Sequence, residues 1–108
     1  MKEIESEIGI ILKKAQWNLF LERLFKLNCQ YKNLEILIFP EFILLRRLSP
    51  VPRLFVTKIY YFSTDQQVVV VKASMESLDG SLVPDNPSDL KFEIETLIEA
   101  YLDDSLDV

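Results

Sequence analysis

A chain of 108 residues, 49% hydrophobic and 27% charged, with 12 basic and 17 acidic side chains for a formal charge of −5, is sized for a single domain. It can bury roughly two-thirds of its unfolded surface, which supplies a core without a disulfide or a structural metal. The chain has no histidine, only two distant glycines (Gly9 and Gly80) and one cysteine, so histidine relays, His-ligated zinc or haem, P-loops and Gly-rich dinucleotide turns are all excluded.

The first seven residues carry three acids and no apolar run, which does not make a signal peptide. From Lys2 to Tyr31 the pattern predicts one long helix, with Ile4, Ile8, Ile11, Ala15 and Leu19 at three- and four-residue steps and no proline. In its second half Trp17, Leu19, Phe20, Leu21, Leu24, Phe25 and Leu27 cover more than half the circumference, leaving Asn18, Glu22, Arg23 and Lys26 for solvent. A helix apolar over so wide an arc has to be sandwiched between two surfaces.

Helical periodicity is lost across Asn28 to Asn33, and residues 34–39 are rich enough in β-branched and aromatic side chains to form a strand that Pro40 stops. Residues 42–48 are read as a second strand, although the run Phe42-Ile43-Leu44-Leu45 has a period that a short helix would also fit. Leu34 to Leu45 is the most apolar stretch of the chain, yet Glu35, Pro40 and Glu41 interrupt it and its twelve residues fall short of the ~20 that cross a bilayer. Residues 49–52 form a proline-stiffened corner.

The strongest strand signal follows, with residues 54–62 and 67–75 flanking a turn at 63–66 as a hairpin. Leu54, Val56, Tyr60 and Phe62 point one way and Phe55, Ile59 and Tyr61 the other, so this hairpin is apolar on both faces and needs cover on both, from helices or from another subunit. After a turn at 77–81, Asn86 is the N-cap of a final helix, with Pro87 at its first position and Asp89 at its third. Leu90, Ile94, Leu97, Ile98, Tyr101 and Leu102 form its core stripe. The fold class expected is α+β: a long N-terminal helix, an antiparallel sheet of three or four strands with a central hairpin, and an amphipathic C-terminal helix, in one domain spanning 1–108.

Charge is unevenly spread. Residues 8–62 hold nine basic side chains against Glu22, Glu35 and Glu41, whereas residues 65–108 hold only Lys72 and Lys91 against eleven acids. Asp103 and Asp104 sit toward the negative end of the final helix, where each costs roughly 0.3–1 kcal/mol. The helix therefore ends by Asp103 and leaves an acidic tail, or a basic partner is recognised by Glu93, Glu95, Glu99, Asp103, Asp104 and Asp107.

Catalytic chemistry has little to work with. The carboxylate pairs Glu3/Glu7, Glu95/Glu99 and Glu99/Asp103 fall one helical turn apart on solvated faces, and Cys29 reads as a buried, inert thiol in a reducing, cytoplasmic setting. No cofactor, metal, membrane or small-molecule substrate is indicated. The expected function is a non-catalytic protein interaction or assembly module, a homodimer or a subunit of a larger complex, not an enzyme. Its partner-binding residues are read as Trp17, Phe20, Phe25, Tyr60 and Phe62, because large aromatics dominate interface energetics. The alternative is a nucleic-acid-binding subunit that grips an anion with Arg46, Arg47, Arg53 and Lys58 beside Phe55, Tyr60 and Tyr61.

Overall fold

The computed structural model describes residues 3–30, 34–48, 54–77 and 83–102. In chain order these form β1 (Glu3–Lys13), α1 (Lys14–Gln30), β2 (Leu34–Ile38), β3 (Phe42–Leu48), β4 (Leu54–Ser63), β5 (Gln67–Ser77) and α2 (Pro87–Leu102). The class is α+β, as the pattern implied, but two details differ. The chain opens on a strand rather than a helix, and the antiparallel sheet has five strands rather than three or four. Residues 42–48 are strand. The corner at 49–52, the turn at 78–81, Arg53 and the tail from 103 onward lie outside the described residues, as do the ends of the expected first helix at Lys2 and Tyr31.

The order β1-β5-β4-β3-β2 places the first two strands at opposite edges. A helix of 17 residues is about 25 Å long, enough to carry the chain over the four inter-strand spacings of roughly 4.8 Å that separate those edges. From β2 the chain returns as a simple meander, and β5 closes the sheet against β1. Both helices pack against the same face of the sheet, α1 reaching β1, β5 and β2 while α2 lies over β1 and β5 beside it.

β1 is a strand because its residues alternate once they have a partner. Ile4, Ser6, Ile8 and Leu12 are buried beneath the helices, and Glu3, Glu5 and Glu7 point to the opposite side. The same isoleucines satisfy helical steps, which is why spacing alone misplaces them. Between Glu7 and Ile10 the register with β5 shifts, so that Ile8 and Gly9 together face Val71. Gly9 takes φ 82° at this bulge, a conformation open to glycine without the steric cost a side chain would bring.

The core gathers Ile4, Ile8 and Leu12 of β1, Trp17, Phe20 and Leu24 of α1, Ile36, Ile43, Ile59, Val68, Val70 and Ala73 of the sheet, and Leu90, Ile94 and Ile98 of α2. Of the wide apolar arc of α1, Trp17, Phe20 and Leu24 are buried and Leu21 packs against the core, between the sheet and α2, whereas Phe25 is exposed. One member of its expected solvated face is corrected: Arg23 is buried, only 6% exposed, and its Nη1 donates to the carbonyl of Tyr101 in the last turn of α2. α2 has no basic residue of its own in that turn, so α1 brings a guanidinium to the negative end of its neighbour's dipole. At the other end of α2, the Asp89 N–H donates to Asn86 Oδ1 at 3.0 Å and Asn86 Nδ2 donates to Asp89 Oδ2 at 3.1 Å, a reciprocal cap where the sequence placed one.

Candidate functional site

With both helices on one side, the other face of the sheet has no cover from the described residues. Cross-strand register sorts its side chains into rows. Ile11, Val69 and Phe62 make the first, and Glu7, Lys72, Tyr60 and Phe42 the second. Glu5, Ser74, Lys58, Leu44 and Leu37 make the third, and Glu3, Glu76, Val56, Arg46 and Glu35 the fourth. The face is graded. Acids line the β1 side of the lower rows, the first row and the Tyr60–Phe42 end of the second are apolar and aromatic, and Lys58, Arg46 and Glu35 bring charge back on the β4–β2 side of the lower rows.

Ile11 and Phe62 are 63% and 62% exposed, and Leu37 and Phe39 are exposed with them. Phe39 stacks on Phe42 with ring centroids 4.7 Å apart, and Phe42 lies 5.4 Å from Tyr60. Lys58 Nζ sits 5.3 Å from the Phe42 ring and Lys72 Nζ 4.7 Å from the Tyr60 ring, contacts worth about 0.5–1 kcal/mol each at an exposed site. Three cations of this face are thus engaged within the chain: beside the ring contacts of Lys58 and Lys72, Lys72 pairs with Glu5 at 3.3 Å and Arg46 donates to Glu35 at 2.7 Å.

The residues singled out for partner binding therefore separate. Trp17 and Phe20 are core, 4% and 0% exposed, with ring centroids 5.5 Å apart. Phe25 is exposed on α1, on the helical side of the molecule. Tyr60 and Phe62 share the open sheet face, as the alternation along β4 implied. Of the alternative anion-binding set, Arg46 and Lys58 lie on that face, the Arg47 backbone pairs with Phe55, and Arg53 lies outside the described residues. Sequence reasoning missed Ile11, which was read as part of a helical stripe, and Phe42 and Leu37, whose face depends on the β2–β3–β4 register. The signal available for Phe42 was its place two residues beyond Pro40, at the start of a strand.

Tyr61 belongs to the other side. Its ring packs 4.8 Å from Trp17 and its hydroxyl donates to the Phe39 carbonyl at 2.7 Å, while its N–H donates to the Glu41 carbonyl, so one residue clasps the β2–β3 turn to the core. Burial raises its phenol above the ordinary value of 10.0. A tyrosine whose folded pKa is raised contributes stability that is present below the unfolded value and lost as pH climbs through the folded one. Alkaline unfolding followed through Trp17 emission is expected to show stability falling above about pH 10, with Tyr61→Phe lacking that component. Equal alkaline slopes for the two proteins would contradict it.

Two other features are plain. The spacing of Glu3 and Glu7 is not a helical turn but two strand steps on the open face, in line with Glu5. The β1 bulge borders a depression of about 410 Å³ lined by Glu7, Ile8, Gly9, Val71, Lys72 and Lys91, a mixed lining of one carboxylate and two ammonium groups. Among the described residues no group of three His, Cys, Asp or Glu side chains gathers as a metal site, and no helix is long and apolar enough to cross a membrane. No family model matches the chain, and neither the curated proteins nor the solved structures offer a match.

Proposed function

We propose that this chain is a non-catalytic protein-interaction module, working as a homodimer or as a subunit of a larger assembly, and that it docks a protein partner on the open face of its sheet. The observation that carries the reading is a contiguous apolar and aromatic surface, Ile11, Val69, Phe62, Tyr60 and Phe42, on the side of the sheet that neither helix covers. Large apolar surface left in water by an otherwise complete core marks an interaction site. Trp17 and Phe20 hold the sheet in shape from beneath, while Tyr60 and Phe62 are the contacts. Replacing Tyr60 and Phe62 together by alanine is expected to cost at least about 2 kcal/mol of binding, or roughly thirtyfold in Kd, and to leave the Trp17 emission of the folded chain unchanged. Unchanged affinity for a captured partner would refute it.

A single nucleic-acid strand is the second reading, favoured by Lys58 and Lys72 lying over rings on a sheet face. The same face carries Glu3, Glu5, Glu7 and Glu76 in its rows, and Arg46, Lys58 and Lys72 already have partners. Retention of a labelled strand that weakens steeply with salt and on replacing Arg46 would favour this reading. Absence of retention at low salt would end it.

A further inference from the structure

We propose that β2 is the self-association edge of this chain, taking the β2 strand of a second copy antiparallel across a two-fold axis so that two five-stranded sheets become one. The inference rests on the reading of the chain as an interaction module, but it is carried by different groups: the backbone of an edge strand rather than the side chains of the open face.

The two edges of the sheet are unlike. β1 is guarded against pairing by Glu3, Glu5 and Glu7, by Lys13, and by the bulge at Gly9 that breaks its run. Charges and bulges are the usual means of keeping an edge from templating another strand. β2 has neither device. Its sequence is Leu34-Glu35-Ile36-Leu37-Ile38, with no lysine, glycine or proline, and its one charge is turned onto Arg46 of the same chain at 2.7 Å. Leu37, Ile38 and Phe39 are all exposed beside it.

The ladder decides which backbone groups are left over. The Phe39 N–H donates to the Phe42 carbonyl at 2.9 Å, and antiparallel pairs alternate between bonded and non-bonded positions. Residues 39, 37 and 35 thus face β3, and the N–H and C=O groups of Leu34, Ile36 and Ile38 point away from the sheet. A two-fold centred on Ile36 sets Leu34 opposite Ile38, Ile36 opposite its own copy, and Glu35 opposite Leu37. Every outward group then finds a partner and no like charges meet. Centring on Leu37 would bring Pro40, which has no N–H, opposite Leu34, and centring on Glu35 would set two carboxylates face to face. The sequence is therefore complementary to itself in one register, and this selects a second copy over a foreign strand. The axis runs perpendicular to the sheet, so both open faces lie on the same side, joined through Leu37, Leu44 and Phe42.

Solution mass measured by light scattering over a wide concentration range tests this, with Trp17 emission reporting the fold. The expected result is a salt-resistant species of twice 12.6 kDa. Ile38→Pro removes one outward donor and Leu37→Glu sets a second carboxylate opposite Glu35 of the other copy, and each is expected to weaken the dimer at least about tenfold. Leu37→Glu alters an exposed side chain, so it serves if the proline variant does not fold. Phe62→Lys, two strands in from the edge, is expected to stay dimeric. A monomer at every concentration overturns the edge assignment while leaving the docking face to be judged by partner binding. Dimers that survive Leu37→Glu, or that are lost in folded Phe62→Lys, also overturn it, the latter meaning that copies meet face to face.

Discussion

Phe20→Ala is expected to destabilise the chain by about 3–5 kcal/mol, the range for removing a large aromatic from a closed core. Phe20 is fully buried, touches Trp17, and meets the Tyr101 ring edge-on with centroids 6.0 Å apart, so it is where the first helix, the last helix and the sheet join. A domain of this size has only about 5–15 kcal/mol to lose, and the thermal midpoint is expected to drop by more than about 10 °C. The single tryptophan, buried beside it, reports the transition directly. A loss below about 1 kcal/mol would mean that α1 does not pack as described.

The second large effect is at Arg23. Its guanidinium is taken from water and set against the final carbonyls of α2, where a positive charge and a hydrogen bond act together. Arg23→Met keeps the apolar stem but leaves the Tyr101 carbonyl without this donor, at an expected cost of about 2–3 kcal/mol in urea unfolding. Arg23→Lys retains the charge without the planar fork and is expected to fall between the two. Arg23→Glu places a negative charge against the negative helix end and is expected to be the worst of the series. If methionine were tolerated as well as arginine, the packing of the stem would be the whole of its role.

These two residues also mark how far the sequence can be read. α2 was legible in full, because Asn86, Pro87 and Asp89 start it by local chemistry and its stripe has one period. The β4–β5 hairpin was legible for the same reason, and the parity that puts Tyr60 and Phe62 on one face and Ile59 and Tyr61 on the other follows from alternation alone. β1 was not. Ile4, Ile8 and Ile11 fit a helical stripe while Glu3, Glu5 and Glu7 fit a strand, and pairing with β5, some sixty residues distant, settles the contest. Gly9 was the one local hint, since an isolated glycine in a strand pattern marks a bulge. Arg23 was misread because its burial depends on where α2 ends. The interaction surface was half legible: its β4 residues could be named, but Ile11, Phe42 and Leu37 join them only through the strand order.

The claim most in need of a direct trial is that the open sheet face is where a partner binds. The decisive measurement is paired capture from an extract of the cells that make this protein, at moderate salt, using the native chain and a Tyr60→Ala/Phe62→Ala double variant matched for Trp17 emission. The account predicts a protein retained in near-stoichiometric amount by the native chain and lost from the double variant. Equal retention by both, or retention by neither, would contradict it.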